Sequence, residues 1–221
     1  TTTSGVNFID YTDNTILNHK TININKNLSD IDKYQSIINV IKGQPNRIYD
    51  IVRDNQNNLW AASTNGLYKF GSDGKNHSWS TSNKIDNNIS NNALTSLYYF
   101  NNSIWIGTWG GGLNKYDLNT KIFEVIYRQD GLADNTVCGI KGDYEGYLWV
   151  STKNGLSRYN PLDKSFTNYY ISDGLVTNEF LAYSSYSAFD GELFFGTSNG
   201  VVYFYPRNIK LNSYSPGVKL T

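Results

Sequence analysis

The sequence predicts an all-β chain, a β-propeller segment of four-stranded antiparallel blades, on three observations. A phrase recurs four times, as NNLWAASTNGLYKF (57–70), SIWIGTWGGGLNKY (103–116), YLWVSTKNGLSRY (147–159) and GELFFGTSNGVVYF (191–204), placing Trp60, Trp105, Trp149 and Phe194 in register at spacings of 45, 44 and 45. Aromatics reach 15% of 221 residues, with 18 Tyr and frequent Asn and Gly, a composition that favours strands and tight turns over helices. The apolar runs are short, lie between turn signals and lack a 3.6-residue period. A sheet of this repeat length cannot bury both faces alone. Radial stacking of such sheets about an axis is the architecture whose period fits, whereas a β-helix needs a shorter one.

The elements follow in order. The opening TTTSGVNFIDYTD matches only the later part of the unit, so 1–46 reads as a partial blade. It carries the insertion ILNHKTININKNLSDIDKYQSIINVIKGQPN, whose DIDKYQSII part fits a fourth strand or a short helix equally well. Full blades follow at 47–92, 93–135 and 136–180. In the last of these, TVCGIKGD (136–143), YLWVST (147–152), LSRYN (156–160) and KSFTNYY (164–170) are the strands. The turn YEGY joins the first two, the Asn-Gly hairpin KNG the next two, and Asn160-Pro161 starts the last connection. A last blade, 181–211, shows three recognisable strands, and 212–221 reads as an exit toward a following domain. The sum, about four blades and a partial one, is expected to belong to a larger, about seven-bladed ring. Broken blades leave unpaired edges, which are templates for a second chain, so either the two ends meet or a partner fills the gap, and a homodimer through sheet edges or in the full-length sensor is one expectation.

Bulk properties narrow the function classes. Lys plus Arg and Asp plus Glu are both 19, so no global field recruits nucleic acid or an anionic membrane, and no apolar window approaches a membrane span. The single cysteine, Cys138 in VCGIKG, forms no intrachain disulfide and reads as a small apolar filler in a strand. A chain without Met that opens in mid-repeat reads as a piece of a longer protein.

Neither metal nor cofactor is predicted. His19 and His77 stand far apart with no Cys/His cluster, and GTWGGG lacks the Lys-Ser/Thr of a phosphate loop and runs into a strand. Glycoside hydrolysis needs paired carboxylates, but Asp54, Asp143, Glu145 and Asp190 fall in turns, where carboxylates cap backbone amides. No catalytic residue is assigned.

The unit, D-x-x-G-x-L-W-I-G-T-x-x-G-L-x-x-Y followed by a strand and a D-G-L-x-x-N connector, resembles the regulator-propeller repeat. The matching stretches are DNQNNLWAASTNGLYKF, NNSIWIGTWGGGLNKYD and DYEGYLWVSTKNGLSRY, the connectors QDGLADNTV and SDGLVTNEF, and DGELFFGTSNGVVYFYP. Departures are Ala61-Ala62 where Ile-Gly is usual, and Phe194 in place of Trp. The resemblance implies the extracytoplasmic sensor region of Bacteroidetes hybrid histidine kinases, a periplasmic location, recognition of polysaccharide breakdown products and a kinase downstream. The stretch from NEFLAYSS to the end looks like the last blade of such sensors and the exit into an immunoglobulin-like domain.

Loops vary on a rigid scaffold, and connectors between blades emerge on the same rim as turns between second and third strands. The residues expected to bind an oligosaccharide there are Arg47, Trp109, Tyr127, Arg128, Asn135, Asn178 and Glu179. Trp109 can stack on a sugar ring, Arg128 can fork a carboxylate or sulfate, and the Asn amides can bond hydroxyls. Each has a structural alternative: Trp109 covers its turn, Arg128 pairs with Asp130, and Asn135 and Asn178 cap the strands they precede. Two other classes stay open, a structural or protein-interaction module and a carbohydrate-active propeller enzyme.

Overall fold

The computed structural model describes residues 48–82 and 87–209. The expected partial blade 1–46, Arg47, His19 and the exit 212–221 lie outside the described residues. Among the described residues, fifteen strands form four antiparallel sheets in sequence order. The first holds β1 (Ile48–Arg53), β2 (Leu59–Ser63), β3 (Gly66–Phe70) and β4 (Asn76–Trp79). The second holds β5 (Leu94–Phe100), β6 (Ser103–Thr108), β7 (Leu113–Asp117) and β8 (Phe123–Ile126). The third holds β9 (Val137–Gly142), β10 (Leu148–Thr152), β11 (Gly155–Tyr159) and β12 (Phe166–Tyr169). In the fourth, β13 (Phe180–Ser187), β14 (Leu193–Thr197) and β15 (Gly200–Phe204) pair, and no outer strand joins them among the described residues. No described helix is long and apolar enough to cross a membrane.

The first strand of each sheet is innermost: β5 packs against β1 and β9, and β9 against β13. Each inner strand is bulged near its start, at Ile48–Asp50, Leu94–Ser96, opposite Ser151–Thr152, and at Phe180–Ser185, which bends it around the axis. First and last blades meet there, the rings of Tyr49 and Tyr183 stacking with centroids 4.3 Å apart. Asp50 ties the first blade to the second by accepting from the Leu97 and Ile51 amides, each at 2.8 Å.

The predicted seams are present. Trp60 packs with Leu97, Ile104, Ile106 and Tyr116 of the second blade, Trp105 with Ile140, Leu148, Val150 and Tyr159 of the third, and Trp149 with Phe180, Leu193 and Phe195 of the fourth. The three indoles are 0–2% exposed, and truncating any of them to Ala costs about 3–5 kcal/mol. The same face of the fourth blade is open: Val201, Tyr203 and Tyr186 are 57%, 65% and 54% exposed.

The repeat letters acquire reasons. Ser63, Thr108, Thr152 and Thr197 each donate a hydroxyl hydrogen to the carbonyl of the turn glycine (Gly66, Gly112, Gly155, Gly200) at 2.7–3.0 Å. The leading Asp serves the indole: Trp60 Nε1 donates to Asp54 Oδ2 at 2.9 Å and Trp149 Nε1 to Asp143 Oδ2 at 2.7 Å. In the fourth blade Ala188 begins the corresponding turn and Phe194 needs no acceptor. In the second blade, where the turn shrinks to Asn101-Asn102, Trp105 Nε1 is buried without a partner. Across the strand pair a cation covers each indole, Lys69 over Trp60, Lys115 over Trp105 and Arg158 over Trp149, at 5.5–5.8 Å, while Tyr203 stacks on Phe194.

One sequence expectation needs correcting. Glu145 does not cap its turn; its carboxylate reaches across to accept from Arg158 at 2.7 Å, because the Asp143 carboxylate already takes the amides of Glu145 and Tyr147. Cys138 is buried as expected, its Sγ 3.3 Å from the Phe180 carbonyl, and burial pushes its thiol up to about 12.

Candidate functional site: the loop rim

Connectors and second-to-third-strand turns are bonded together into one rim. The turn amides of Gly66, Gly112 and Gly155 donate to the carbonyls of Asn92, Asn135 and Asn178 in the following connectors, at 2.8–3.0 Å. At the other end of each turn, Trp109, Lys153 and Ser198 donate their amides to Ala93, Thr136 and Glu179 of the preceding connector. The second and third turns are thus clipped on both sides, and their side chains project from a fixed backbone.

The second turn is the unusual one. It holds one residue more than its sisters, Trp109-Gly110-Gly111-Gly112, and Gly110 and Gly112 take φ of 84° and 76°. A Cβ at Gly112 would run into the Ile126 carbonyl, so the loop demands glycine there. The reward is a presented indole: Trp109 is 50% exposed, although its amide donates to Ala93 and its carbonyl accepts from Asn91 at 2.8 Å. Lys153 of the next turn lies 5.8 Å from the ring centroid and pairs with Glu179 at 3.1 Å. The pair is exposed and worth no more than about 1 kcal/mol in stability, so a ligand can recruit either group cheaply.

The structure brings Trp109 and Glu179 together through Lys153, which the sequence reading did not name. Lys153 stands in register with Trp109 in the repeat, the signal that would have found it. Tyr127, Arg128, Asn135 and Asn178 instead belong to connectors. The Asn135 Oδ1 accepts from the Arg128 amide at 2.7 Å and Asn178 Oδ1 from the Ile171 amide at 2.8 Å, closing the short 3-10 turns Arg128–Asp130 and Ile171–Asp173. Asp130 accepts from the Tyr127 amide at 2.8 Å, and Arg128 is exposed with no ion pair among the described residues. The Asn178 Nδ2 also reaches Asn154 Oδ1 at 3.3 Å. No group of three or more potential metal ligands occurs among the described residues.

With this geometry in view, comparison with known proteins is informative. The family model for the two component regulator propeller matches residues 42–65. Over 98 residues the chain is 38% identical to a histidine kinase P4 of Formosa agariphila, covering 44% of this chain and 7% of that one. The extracellular domain of a hybrid two component system of B. thetaiotaomicron superposes with a TM-score of 0.63 at 27% identity, over 75% of this chain and 24% of that one. The match to the two component regulator propeller model takes in one of the recurring turns, that of Asp54 and Trp60. It spans about a quarter of the solved relative's length. A virginiamycin B lyase of Staphylococcus aureus, at 16% identity and a TM-score of 0.52 over 73% of this chain and 56% of that one, shares the fold alone. Within the recurring unit, D-x-x-G-x-L-W is the indole acceptor turn, and D-G-L-x-x-N is the connector knot, in which Gly131 takes φ of 114° and Leu132 is 1% exposed. Most of the repeat's fixed letters are therefore structural, and Trp109, which replaces a turn residue, is not among them.

Proposed function

We propose that this chain is part of the extracytoplasmic, periplasmic sensing region of a hybrid two-component system and that its rim binds an oligosaccharide released from a polysaccharide. It carries out no chemistry on the ligand and signals to a histidine kinase by altering how blades pack. The observation that carries the reading is Trp109: a half-exposed indole on a glycine-rich loop anchored at both ends, beside a polar pair. A flat apolar ring held rigidly loses little entropy on stacking against a pyranose, while Lys153 and Glu179 offer donors and acceptors to hydroxyls. Relatedness to extracellular domains of two-component systems supports the location and the signalling role. The open face of the fourth blade supports continuation into a larger ring.

The test is calorimetric titration of the chain, and of the longer sensor region, with hexasaccharides from a panel of polysaccharides. At least one is expected to bind, and W109A is expected to weaken it about tenfold, the loss of one stacked ring. Binding unchanged by W109A would remove the rim from the account, and saccharide turnover lost on changing a rim or axial carboxylate would replace sensing by catalysis.

A further inference from the structure

The connectors on the rim repeat one clip. Asn92, Asn135 and Asn178 stand in register, and each accepts twice: its carbonyl takes the amide of the turn glycine (Gly66, Gly112, Gly155) at 2.8–3.0 Å, and its Oδ1 takes the amide of Thr81, Arg128 or Ile171 at 2.7–2.8 Å. One asparagine therefore pins both a turn and the residue at the head of its connector. The position so presented is exposed in all three connectors and chemically different in each: a hydroxyl at Thr81, a guanidinium at Arg128, an aliphatic chain at Ile171.

Arg128 stands beside the turn that presents Trp109. Asn135 holds the Arg128 amide and the Gly112 amide of that turn together, and the Tyr127 ring packs so closely on Gly112 that a Cβ there would lie 3.1 Å from its Cδ1. The nearby carboxylates are engaged elsewhere. Asp130 Oδ2 accepts from the Tyr127 amide and Asp134 Oδ1 from the Thr136 amide, each at 2.8 Å, while Glu179 takes Lys153 at 3.1 Å. No carboxylate among the described residues comes within ion-pair distance of the Arg128 guanidinium.

We infer, resting on the sensing role proposed above, that the saccharide read at the rim bears an anionic group, a carboxylate or a sulfate, and that Arg128 receives it while Trp109 stacks on the sugar ring. A guanidinium presents parallel N–H donors that match two oxygens of either anion, and its weak hydration makes the exchange of water for the anion less costly than at an ammonium. With the backbone already pinned, only the side chain has to be ordered on binding. Thr81 and Ile171, at the same position of the flanking connectors, carry no charge, so the anion is read at one place along the ligand, next to Trp109. Asp130, Asp134 and Glu179 leave this part of the rim without a net positive field, so recognition depends on the contact at Arg128 and not on long-range steering.

The experiment is calorimetric titration of the chain with matched hexasaccharides, hexagalacturonate against its methyl ester and a sulfated carrageenan hexasaccharide against its desulfated form. At least one charged member is expected to bind about tenfold tighter than its uncharged counterpart, and the pair that shows the gap tells carboxylate from sulfate. R128Q is expected to close the gap and R128K to leave part of it, whereas W109A weakens the charged probe about tenfold, as the rim reading requires. Arg128 is exposed, so these variants keep the fold, which far-UV circular dichroism checks. Equal binding within both pairs, or a gap that survives R128Q, would overturn the anionic reading; if W109A still weakened that binding, the rim would stand. No binding by any of the four probes would overturn it as well, with the polysaccharide panel above then deciding the rim by itself.

Discussion

The pairing of a turn carboxylate with a buried indole can be tested quantitatively. Asp143 Oδ2 accepts from Trp149 Nε1 at 2.7 Å, and Oδ1 from the amides of Glu145 and Tyr147 at 3.0 and 2.9 Å. Trp149 is 1% exposed, so in D143A its N–H is left buried and unpaired, at a cost of about 1–3 kcal/mol. The two turn amides lie near water and add about 1 kcal/mol between them. The expected total, about 2–4 kcal/mol, lowers the melting temperature of a chain this long by about 4–16 °C. In a W149F background there is no N–H to strand, and D143A should cost only about 1 kcal/mol, giving a coupling of about 1–3 kcal/mol. Urea titrations followed by far-UV circular dichroism, comparing midpoints at constant slope, supply the four stabilities. Additivity of the two changes within about 0.5 kcal/mol would refute the assignment of that Asp as the indole acceptor.

Three further outcomes are expected. Gly66→Ala, at φ of 116° with its Cβ directed into the Trp79 carbonyl, should cost about 1–3 kcal/mol by thermal melt, and more than Gly200→Ala, where φ is 130° but space is open. Cys138 should resist alkylation by iodoacetamide at neutral pH in the folded chain and react at once in urea, since its thiol lies at about 12. Two aspartates should give opposite pH signatures in urea midpoints measured from about pH 3 to about pH 7. Partial burial raises Asp54, but hydrogen bonds from Asn58, Trp60 and the Gln56 amide outweigh it and hold it below the ordinary value, so its stabilisation is present above that value and lost as pH falls through the depressed one. Burial outweighs the Leu97 amide and Lys141 at Asp50 and raises it, so its stabilisation is full below the ordinary value and fades as pH rises through the raised one. D54N should remove the acid loss, and D50N the fading.

What the sequence made legible were features written locally and four times over. The register of Trp60, Trp105 and Trp149 gave the seams, and the Asn-Gly and Gly-rich turns gave the hairpins, because each depends on alternation and on φ preferences within a few residues. Trp109 was legible as the residue that breaks the pattern of its turn. What escaped depends on the approach of separate blades. Lys153 reaches Trp109 only because successive turns stand side by side on the rim. The Tyr49–Tyr183 stack closes across the axis between residues that share no local pattern, and Arg158 draws Glu145 out of its turn through a strand-pair geometry that spacing alone does not encode. Asn135 and Asn178 read as ligand groups in sequence, yet each amide oxygen is held by a backbone N–H of its own connector.

Hydrogen–deuterium exchange of the sensor region, with and without a hexasaccharide that binds it, addresses the central claim most directly. Slower exchange in the turns Thr108–Gly112 and Thr152–Gly155 and at Glu179 is the expected result. Unchanged exchange there, with protection confined to the opposite turns around Asn57, Asn101 and Gly146, would contradict a sensing rim built on Trp109.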